Sequence, residues 1–299
     1  KEIDYDVLLW TGGITGQDAA ETANEEAPDE NQQYHLELQD GEIDAPVLLP
    51  GDPDRVDIIA DRWDHSNELA NHREYRTLAG EYDGEPIAVT STGIGSPSAA
   101  IAVEELARVG AETFLRVGSC GVIQKEIDIG DLIITTGAVR QEGTSDEYVR
   151  KAYPAVAHDE VVTALVTAAE RLGYEYHLGV TCSTDSFYAG QSRSGFGGFQ
   201  AAEAEARLEE LRAAGVLNFE MEASAILTLA SLYRLRAGAV CTVYANRVTG
   251  EFRAEGQEKA AETSSLAAAL LTRMDRVKRD AGVDRWHAGL SLPEEKQRR

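Results

Sequence analysis

The sequence predicts an α/β protein: a single three-layer α/β/α domain whose mixed central sheet carries helices on both faces. Two observations lead to this prediction. From Pro46 onward, short apolar runs typical of buried strands alternate with longer amphipathic or apolar segments typical of helices. The connections between the strands are long, which allows neighbouring strands to run parallel with a helix packed across the sheet. At 299 residues the chain can bury a substantial core.

Local signals place the elements in order along the chain. Asp52 is suited to an N-cap and Pro53 to the first position of a helix, the pair Asp83-Gly84 favours a hairpin turn, and Ser96-Pro97 begins a further helix. The predicted strands are 47–49, 75–82, 86–91, 113–117, 132–135, 177–181 and 237–244. The predicted helices are 53–62, 96–109, 158–172, 205–214, 223–233 and 257–279.

The composition divides the chain into three parts. Residues 1–33 form an acidic N-terminal extension, rich in Ala, Glu, Asp and Asn, without the pattern of a packed element. Residues 34–282 form the α/β domain, and residues 283–299 form a polar C-terminal tail. The chain has no run of about 18 apolar residues, and its acidic start does not resemble a signal peptide. The sequence therefore predicts neither a membrane-spanning helix nor secretion.

The charge of the chain excludes some partners. The net charge is −24, from 52 acidic and 28 basic residues, so neither nucleic acid nor an anionic membrane is expected as a partner. Only six of the basic residues are lysine, and the acids are spread over the whole chain. This pattern is typical of halophilic proteins, with an ordinary acidic cytosolic enzyme as the alternative. Three cysteines do not make a disulfide framework, which favours the reducing cytoplasm.

The first candidate for chemistry is the loop 50–55, Pro-Gly-Asp-Pro-Asp-Arg, at the end of the first strand. Gly51 lets the backbone turn and brings an N–H close to a ligand. The N-terminal end of a helix favours an anion, and Arg55 lies one turn in, with a forked donor suited to phosphate. The loop is therefore either an anion site for phosphate or a capped helix start whose arginine points to water.

A second candidate is the segment 115–121, Leu-Arg-Val-Gly-Ser-Cys-Gly, where a hydrophobic strand ends in two glycines around a serine. Ligands of open α/β sheets bind beyond the carboxyl ends of strands, where Ser119 offers a hydroxyl and an N–H. Arg116 lies in an otherwise apolar strand and needs an anionic partner, either a substrate phosphate or a buried carboxylate. Cys120 has no neighbouring histidine in the sequence and is interpreted as a small buried thiol.

Three further segments add polar groups. Residues 72–75, His-Arg-Glu-Tyr, begin a strand and supply a third guanidinium. Glu220 and Glu222 precede an apolar helix and need partners, and a carboxylate there suits either two adjacent hydroxyls, as on a ribose, or the helix dipole. A later loop combines the ring of Phe187 with Gln191 and Arg193, a set that suits a flat heterocycle.

Together these segments resemble the nucleoside phosphorylase-I family, most closely its uridine phosphorylase branch. The resemblance covers residues 34–282 and depends on seven motifs that occur in the order and spacing of the family. The motifs are PGDPDR at 50–55, HREY at 72–75, STGIGSPS at 91–98, LRVGSCG at 115–121, DSFYAGQSR at 185–193, NFEME at 218–222 and ANR at 245–247.

The resemblance implies roles for residues that match these motifs. Phosphate would be bound by Gly51, Arg55, Arg116 and Ser119, and by Arg73 from a neighbouring subunit. The ribose would be bound by Met221, Glu222 and the neighbour's His35, and the base by Phe187, Gln191, Arg193 and Arg247. The residues acting in catalysis would be Arg116, Gln191 and Arg193. A monovalent cation such as K⁺, found at the dimer interface of some members, is matched by Glu74, Ile94 and Ser98, with plain structural contact as the alternative.

The resemblance also implies the reaction and the assembly. The reaction is phosphorolysis of a nucleoside, with inorganic phosphate as nucleophile and no cofactor, and the assembly is a homohexamer built as a trimer of dimers. The purine branch of the family places an Asp just after the strand 237–244, where this chain has Arg247 in Ala245-Asn246-Arg247. This difference favours uridine, with deoxyuridine and thymidine as further substrates. Phosphorolysis of guanosine or inosine and a non-catalytic nucleoside-binding paralogue stay open as alternatives.

Overall fold

The computed structural model describes residues 32–290. The strands in this range are β1 (Val47–Pro50), β2 (His65–His72), β3 (Tyr75–Tyr82), β4 (Glu85–Thr90), β5 (Thr113–Val122), β6 (Leu132–Gln141), β7 (Ala155–Val156), β8 (Tyr176–Thr184), β9 (Asn218–Glu220), β10 (Arg236–Asn246) and β11 (Glu251–Phe252). The α-helices are α1 (Asp54–Ala60), α2 (Ser96–Arg108), α3 (Thr144–Tyr148), α4 (Asp159–Leu172), α5 (Ala204–Ala213), α6 (Ala223–Leu232) and α7 (Gln257–Ala281). Most of the predicted extension 1–33, and residues 291–299 of the predicted tail, lie outside the described residues.

The strands form one mixed sheet, as predicted. Its order is β11-β10-β6-β8-β9-β5-β1-β4-β3-β2, with β7 beside β6. β5 also pairs in parallel with β10, so the strands β5, β10, β6, β8 and β9 close into a ring. β1 lies parallel between β4 and β5, and the antiparallel strands β2, β3 and β4 form the other side. The carboxyl ends of β1, β5 and β10 therefore meet at one edge.

Helices cover both faces of the sheet, which confirms the three-layer prediction. Val47 and Leu49 of β1 pack on one face with α2 and α6, whereas Leu48 packs on the other face with α1, α4 and α7. Successive side chains of a strand point to opposite faces, so a strand covered on both sides needs a continuous apolar run. The short run at the start of β1 meets that requirement.

β5 differs from its prediction in a way that matters for the site. The predicted strand ends at residue 117, but the observed strand continues through Gly118 and Gly121 to Val122. Parallel pairing with β10 and antiparallel pairing with β9 hold this extension in place. The hydrogen bonds of two neighbouring strands outweigh the low strand propensity of glycine. Ser119 consequently lies within the strand and not in a loop beyond it.

Two local predictions need correction. Pro53, and not Asp52, occupies the N-cap position of α1, while Oδ1 of Asp52 accepts the backbone N–H of Asp54 at 3.0 Å. Residues 72–75 do not begin a strand: His72 ends β2, and Arg73, with φ +56°, turns the chain into β3. The sequence analysis missed β2 because this exposed strand lacks apolar alternation. It also missed α3, β7, β9 and β11, which are all short.

α7 and the segment that follows it pack against the core of the domain. Trp286 packs partly buried against the core and donates its backbone N–H to Glu160 at 2.9 Å. This part of the predicted tail is therefore in contact with the domain. In the range 32–290, no helix combines the length and the apolar character that crossing a membrane requires.

Close packing of α4 on β10 leads to a stability prediction. A Cβ added at Gly238 would lie 2.5 Å from Cγ1 of Val161, which is closer than packed carbon atoms approach. We expect Gly238→Ala to lower the free energy of unfolding by about 1–3 kcal/mol, the usual cost of overpacking a core. Urea unfolding followed by circular dichroism would measure this.

Gly143→Ala is the matched control, because its added Cβ would lie 3.5 Å from Oδ2 of Asp185, an ordinary contact. Equal stability of the two variants would contradict the packing argument.

Candidate active site

A cavity of about 320 Å³ lies at the edge where β1, β5 and β10 end. This is the edge at which α/β sheets bind ligands. Predicted site residues that line the cavity are Gly51, Arg55, Ile94, Arg116, Ser119, Phe187, Gln191, Arg193, Met221 and Glu222. Segments that lie far apart in the sequence therefore meet at one cavity.

Arg116 lies at the centre of a buried charge cluster. Its Nε donates to Glu220 at 3.3 Å, and its Nη2 donates to Glu222. Burial favours the neutral guanidine, but Glu222 and Glu220 outweigh burial and raise the pKa of Arg116. The sequence left open whether the partner of Arg116 is a substrate phosphate or a buried carboxylate. In the structure, the partners are two buried carboxylates. The third nitrogen, Nη1, is buried and has no hydrogen-bond partner within residues 32–290.

The two glutamates have different positions in this cluster. Glu220 accepts the backbone N–H groups of Glu222 and Ala223, each at 2.8 Å, and so fixes the start of α6. Glu222 accepts the backbone N–H of Gly95 at 2.6 Å. Burial raises the pKa of Glu222, although Arg116 opposes the rise. The sequence analysis missed Glu220 as a site residue, although its position beside an apolar helix signalled the need for a partner.

Three guanidinium nitrogens on the cavity wall lack an acceptor. Among the described residues, Nε of Arg55, Nη1 of Arg116 and Nε of Arg193 are buried without a hydrogen-bond partner. A buried charged donor without an acceptor is costly, so the three nitrogens indicate a ligand with several acceptor atoms. A Cβ added at Gly51 would lie 3.0 Å from the carbonyl oxygen of Gly93. A side chain at position 51 would therefore crowd the backbone of Gly93.

Another part of the cavity wall carries an amide, a ring and one guanidinium group, with a second guanidinium group next to the wall. Gln191 is buried, and the guanidinium of Arg193 lies 4.7 Å from the centroid of the Phe187 ring, in cation–π contact. Arg247 does not line the cavity; it donates to the backbone carbonyl of Gln191 from behind. Burial and the neighbouring Arg193 and Arg212 lower the pKa of Arg247 to about 10. Positive charge is therefore concentrated near this part of the wall.

The predicted residues His35 and Arg73 lie outside the cavity lining. Nδ1 of His35 lies 2.6 Å from a carboxylate oxygen of Glu105, and the two rings of Tyr34 and His35 pack edge to face. The guanidinium of Arg73 lies 5.6 Å from the centroid of the Tyr34 ring. His35 and Arg73 therefore occur together on one partly exposed face of the protomer.

Of the three predicted cation residues, Ile94 lines the cavity, and Glu74 and Ser98 lie close to the neighbouring Gly93. Glu74 and Ser98 meet at Gly93, where an added Cβ would lie 2.9 Å from Cγ of Glu74 and 3.4 Å from Oγ of Ser98. Ile94, which also lines the cavity, is 81% exposed. In the described part of the chain, no group of three or more His, Cys, Asp or Glu side chains could hold a metal ion.

Aromatic residues from two strands complete the wall. Tyr244 of β10 and Phe252 of β11 line the cavity, and the sequence analysis assigned a role to neither. Tyr244 was placed at the end of a hydrophobic strand, where nothing local distinguishes a residue facing the core from one facing a cavity. Phe252 belongs to a strand of two residues that carries no sequence signal.

The chain matches a known protein family over most of its length. A family model described as Phosphorylase superfamily matches residues 47–274. The chain belongs to the phosphorylase superfamily. The match includes every residue that lines the cavity, from Gly51 to Phe252, so the cavity is a feature of the superfamily region.

Individual members of the phosphorylase superfamily are also similar to this chain. The uridine phosphorylase of Thermococcus kodakarensis is 55% identical over 262 residues, which are 88% of this chain and 95% of that protein. The uridine phosphorylase of Escherichia coli is 46% identical over 221 residues, 73% of this chain and 87% of its own length. The guanosine phosphorylase of Halorubrum lacusprofundi is 44% identical over 219 residues, 73% of this chain and 86% of its own length.

The buried thiols of this superfamily member lead to a prediction about reactivity. Burial and the nearby Cys241 raise the pKa of Cys120 well above its ordinary value, and burial with the nearby Glu220 raises the pKa of Cys182 to about 12. Only the thiolate reacts with iodoacetamide, and a raised pKa leaves less thiolate at a given pH. We expect both thiols to stay unmodified in the folded protein at about pH 8 and to react fully in urea, as measured by mass spectrometry.

The sample in urea is the control, because it shows that the reagent reacts with both thiols and that mass spectrometry detects the modified protein. Rapid modification of Cys120 in the folded protein would contradict its assignment as an inert wall residue.

Proposed function

We propose that this protein is a uridine phosphorylase that converts uridine and inorganic phosphate to uracil and ribose 1-phosphate. The main observation behind the proposal is that three buried guanidinium nitrogens on the wall of one cavity have no acceptor among residues 32–290. The relatives named uridine phosphorylase, at 55% and 46% identity, support it.

The proposed phosphate site lies where Gly51, Arg55, Arg116 and Ser119 meet. The added-Cβ position at Gly51 is 3.8 Å from Nη1 of Arg116, so the absence of a side chain leaves room beside this nitrogen. A phosphate there would supply acceptors for Nη1 of Arg116 and Nε of Arg55. Charge-assisted hydrogen bonds of this kind are about twice as strong as neutral ones.

The ribose would be bound by Glu222 and Met221. Glu222 already accepts hydrogen bonds from Gly95 and Arg116, and a carboxylate has about four acceptor positions. A ribose hydroxyl can therefore donate to Glu222 without displacing these bonds. The base would lie against Phe187, with Gln191 and Arg193 at its carbonyl and ring nitrogen atoms and Arg247 supporting Gln191.

The chemistry follows from where charge develops. A phosphate oxygen forms a bond to the anomeric carbon, the bond from that carbon to N1 of uracil breaks, and its electron pair stays on uracil. Bound phosphate offsets the positive charge that develops on the sugar, while Gln191 and Arg193 stabilise the negative charge on the base. Because uracil leaves as an anion, no strong general acid is required. Phosphate is a co-substrate, and the proposal includes no cofactor.

Guanosine is the second candidate substrate. The relative from Halorubrum lacusprofundi named guanosine phosphorylase favours it. Against it stands Arg247, which follows β10 and cannot protonate a purine ring as a carboxylic acid would.

The proposed functional unit is a cytoplasmic homo-oligomer, in the form of a hexamer built from dimers. His35 and Arg73 support an assembly of at least two copies, because both lie on one face away from the lining of their own cavity. A second copy would bring them to the 5′-hydroxyl and to phosphate. K⁺ at Glu74, Ile94 and Ser98, and adaptation to high salt, belong to the same proposal.

Release of free base tests the proposed reaction directly. We expect uridine to be cleaved fastest among uridine, thymidine, guanosine and adenosine, only with phosphate present, and with ribose 1-phosphate as the second product. The assay is run in high KCl, with enzyme omitted as the control. Turnover without phosphate would contradict phosphorolysis, and faster cleavage of guanosine would overturn the base assignment.

Mixing two inactive variants tests whether the site is shared between subunits. Arg116→Ala should raise the KM for phosphate and lower kcat, because Arg116 contributes to nucleophile binding and to the transition state. Arg73→Ala should have a similar effect on the neighbouring site. Equal co-expression of the two variants should restore about one quarter of the sites, since only mixed pairs contain one complete site.

Co-expression of Arg116→Ala with Arg55→Ala is the matched control. Both of these residues line the same cavity, so mixed pairs contain no complete site and no recovery is expected. Failure of the Arg73→Ala mixture to recover activity would contradict the shared site.

A further inference from the structure

Glu105 is a buried carboxylate that the proposed site does not use. It belongs to α2, is 6% exposed and does not line the cavity. The nearby α2 residues Ala102 and Leu106 are fully buried and apolar. A carboxylate in such surroundings is costly unless it is hydrogen-bonded, so Glu105 needs donors from another part of the chain.

Two consecutive residues supply those donors. Oε2 of Glu105 accepts the backbone N–H groups of His35 at 3.0 Å and of Leu36 at 2.9 Å, and Nδ1 of His35 lies 2.6 Å from Oε1. Within residues 32–290, every hydrogen bond to this carboxylate comes from His35 or Leu36. Leu36 is fully buried, which fixes the backbone beside His35. Glu105 therefore holds both the backbone and the ring of His35.

The contact with Glu105 also selects which nitrogen of the His35 ring carries the proton. An ionised carboxylate is only an acceptor, so Nδ1 carries a proton, and Nε2 of the neutral ring is left with a lone pair. The rings of Tyr34 and Tyr75 pack edge to face against His35, with centroid distances of 4.9 and 6.3 Å. The His35 side chain is 28% exposed. Its ring is thus held in one orientation and is still accessible from outside the protomer.

We propose that Glu105 is a positioning residue for the ribose: it holds His35 so that Nε2 accepts a hydrogen bond from the 5′-hydroxyl of a nucleoside bound in the neighbouring subunit. This inference rests on the proposed function, in which His35 comes from a second copy. A partly exposed side chain without a fixed partner loses rotamer freedom when a ligand binds, which weakens binding. The hydrogen bonds from His35 to Glu105 remove that cost before the nucleoside binds.

A nucleoside without the 5′-hydroxyl tests the assignment. The wild-type protein should prefer uridine to 5′-deoxyuridine in kcat/KM by about three- to tenfold, as expected for one hydrogen bond. Glu105→Gln removes the charge and weakens the hold on the ring, so this preference should fall below about twofold. The kcat/KM for 5′-deoxyuridine and the KM for phosphate should stay unchanged. A merely structural loss would lower the rates with both nucleosides and leave their ratio at the wild-type value.

Glu104→Gln is the matched control. Glu104 is the preceding residue on α2, and its carboxylate accepts hydrogen bonds from Tyr233 and Arg108. The substitution removes the same charge and should leave the preference for the 5′-hydroxyl unchanged. In a His35→Ala background, Glu105→Gln should cause no further loss of this preference, because residues that act through one another are not additive.

The preference is a ratio measured on one sample, so it does not depend on the fraction of the protein that is folded. If Glu105→Gln does not fold, Glu105→Asp takes its place, because the shorter side chain keeps the charge but moves the carboxylate away from the ring. The same fall in the preference for uridine is expected.

The outcomes separate this inference from the proposed function. If the wild-type protein shows no phosphate-dependent cleavage of uridine, the proposed function fails and this inference fails with it. If wild-type cleavage depends on phosphate but Glu105→Gln keeps the wild-type preference for uridine over 5′-deoxyuridine, the inference alone is overturned. No preference in the wild type, an equal fall with Glu104→Gln, or a further loss in the His35→Ala background would also overturn it.

Discussion

The buried cluster of Arg116 with Glu220 and Glu222 is the interaction on which the rest of the site depends. It joins the middle of β5 to the end of β9 and the start of α6, and through Gly95 it reaches the start of α2. A buried charge that loses its partner destabilises a protein by about 3–5 kcal/mol, so these three side chains must be present together. Nη1 of Arg116, which has no partner in the described part of the chain, is consequently held at a fixed place on the cavity wall.

The closed ring of strands explains why this cluster lies at a cavity. β5 runs parallel to β1 and β10, so the segments that follow these three strands converge at one edge of the sheet, and the antiparallel strand β9 begins beside the end of β5. A β-bulge at Tyr244 occurs where β10 leaves its regular pairing with β5. A regular pairing would keep the strict alternation of side chains, whereas the bulge turns a large ring to the wall of the cavity.

The distribution of charge has a functional consequence. The chain as a whole is strongly acidic, yet its cavity is lined by three arginines, with Arg247 directly behind one end. Arginine suits this role because it stays charged when buried and offers several donors in a fixed plane. Near Gln191, burial lowers the pKa of Arg247, and the neighbouring positive charges of Arg193 and Arg212 lower it further. These positive charges would favour a base that leaves as an anion.

Much of the fold could be predicted from local patterns. The predicted helix 223–233 is observed as Ala223–Leu232, and the predicted hairpin around Asp83-Gly84 joins β3 and β4. β11 was missed because a strand of two residues carries no pattern, and β9 was missed because its hydrogen bonds come from β5 and β8, which are distant in the sequence. The extension of β5 beyond its glycines was missed for the same reason.

By itself, the sequence determined the α/β class, the order of the main elements and the requirement that Arg116 find an anionic partner. These follow from side-chain periodicity and from the cost of burying a charge, which act over a few residues. Only the tertiary structure decided that Glu220, 104 residues away, is one of those partners, and that Tyr244 lines the cavity. It also decided that His35 and Arg73 lie outside the cavity lining, because contacts at such separations depend on how the strands and helices pack.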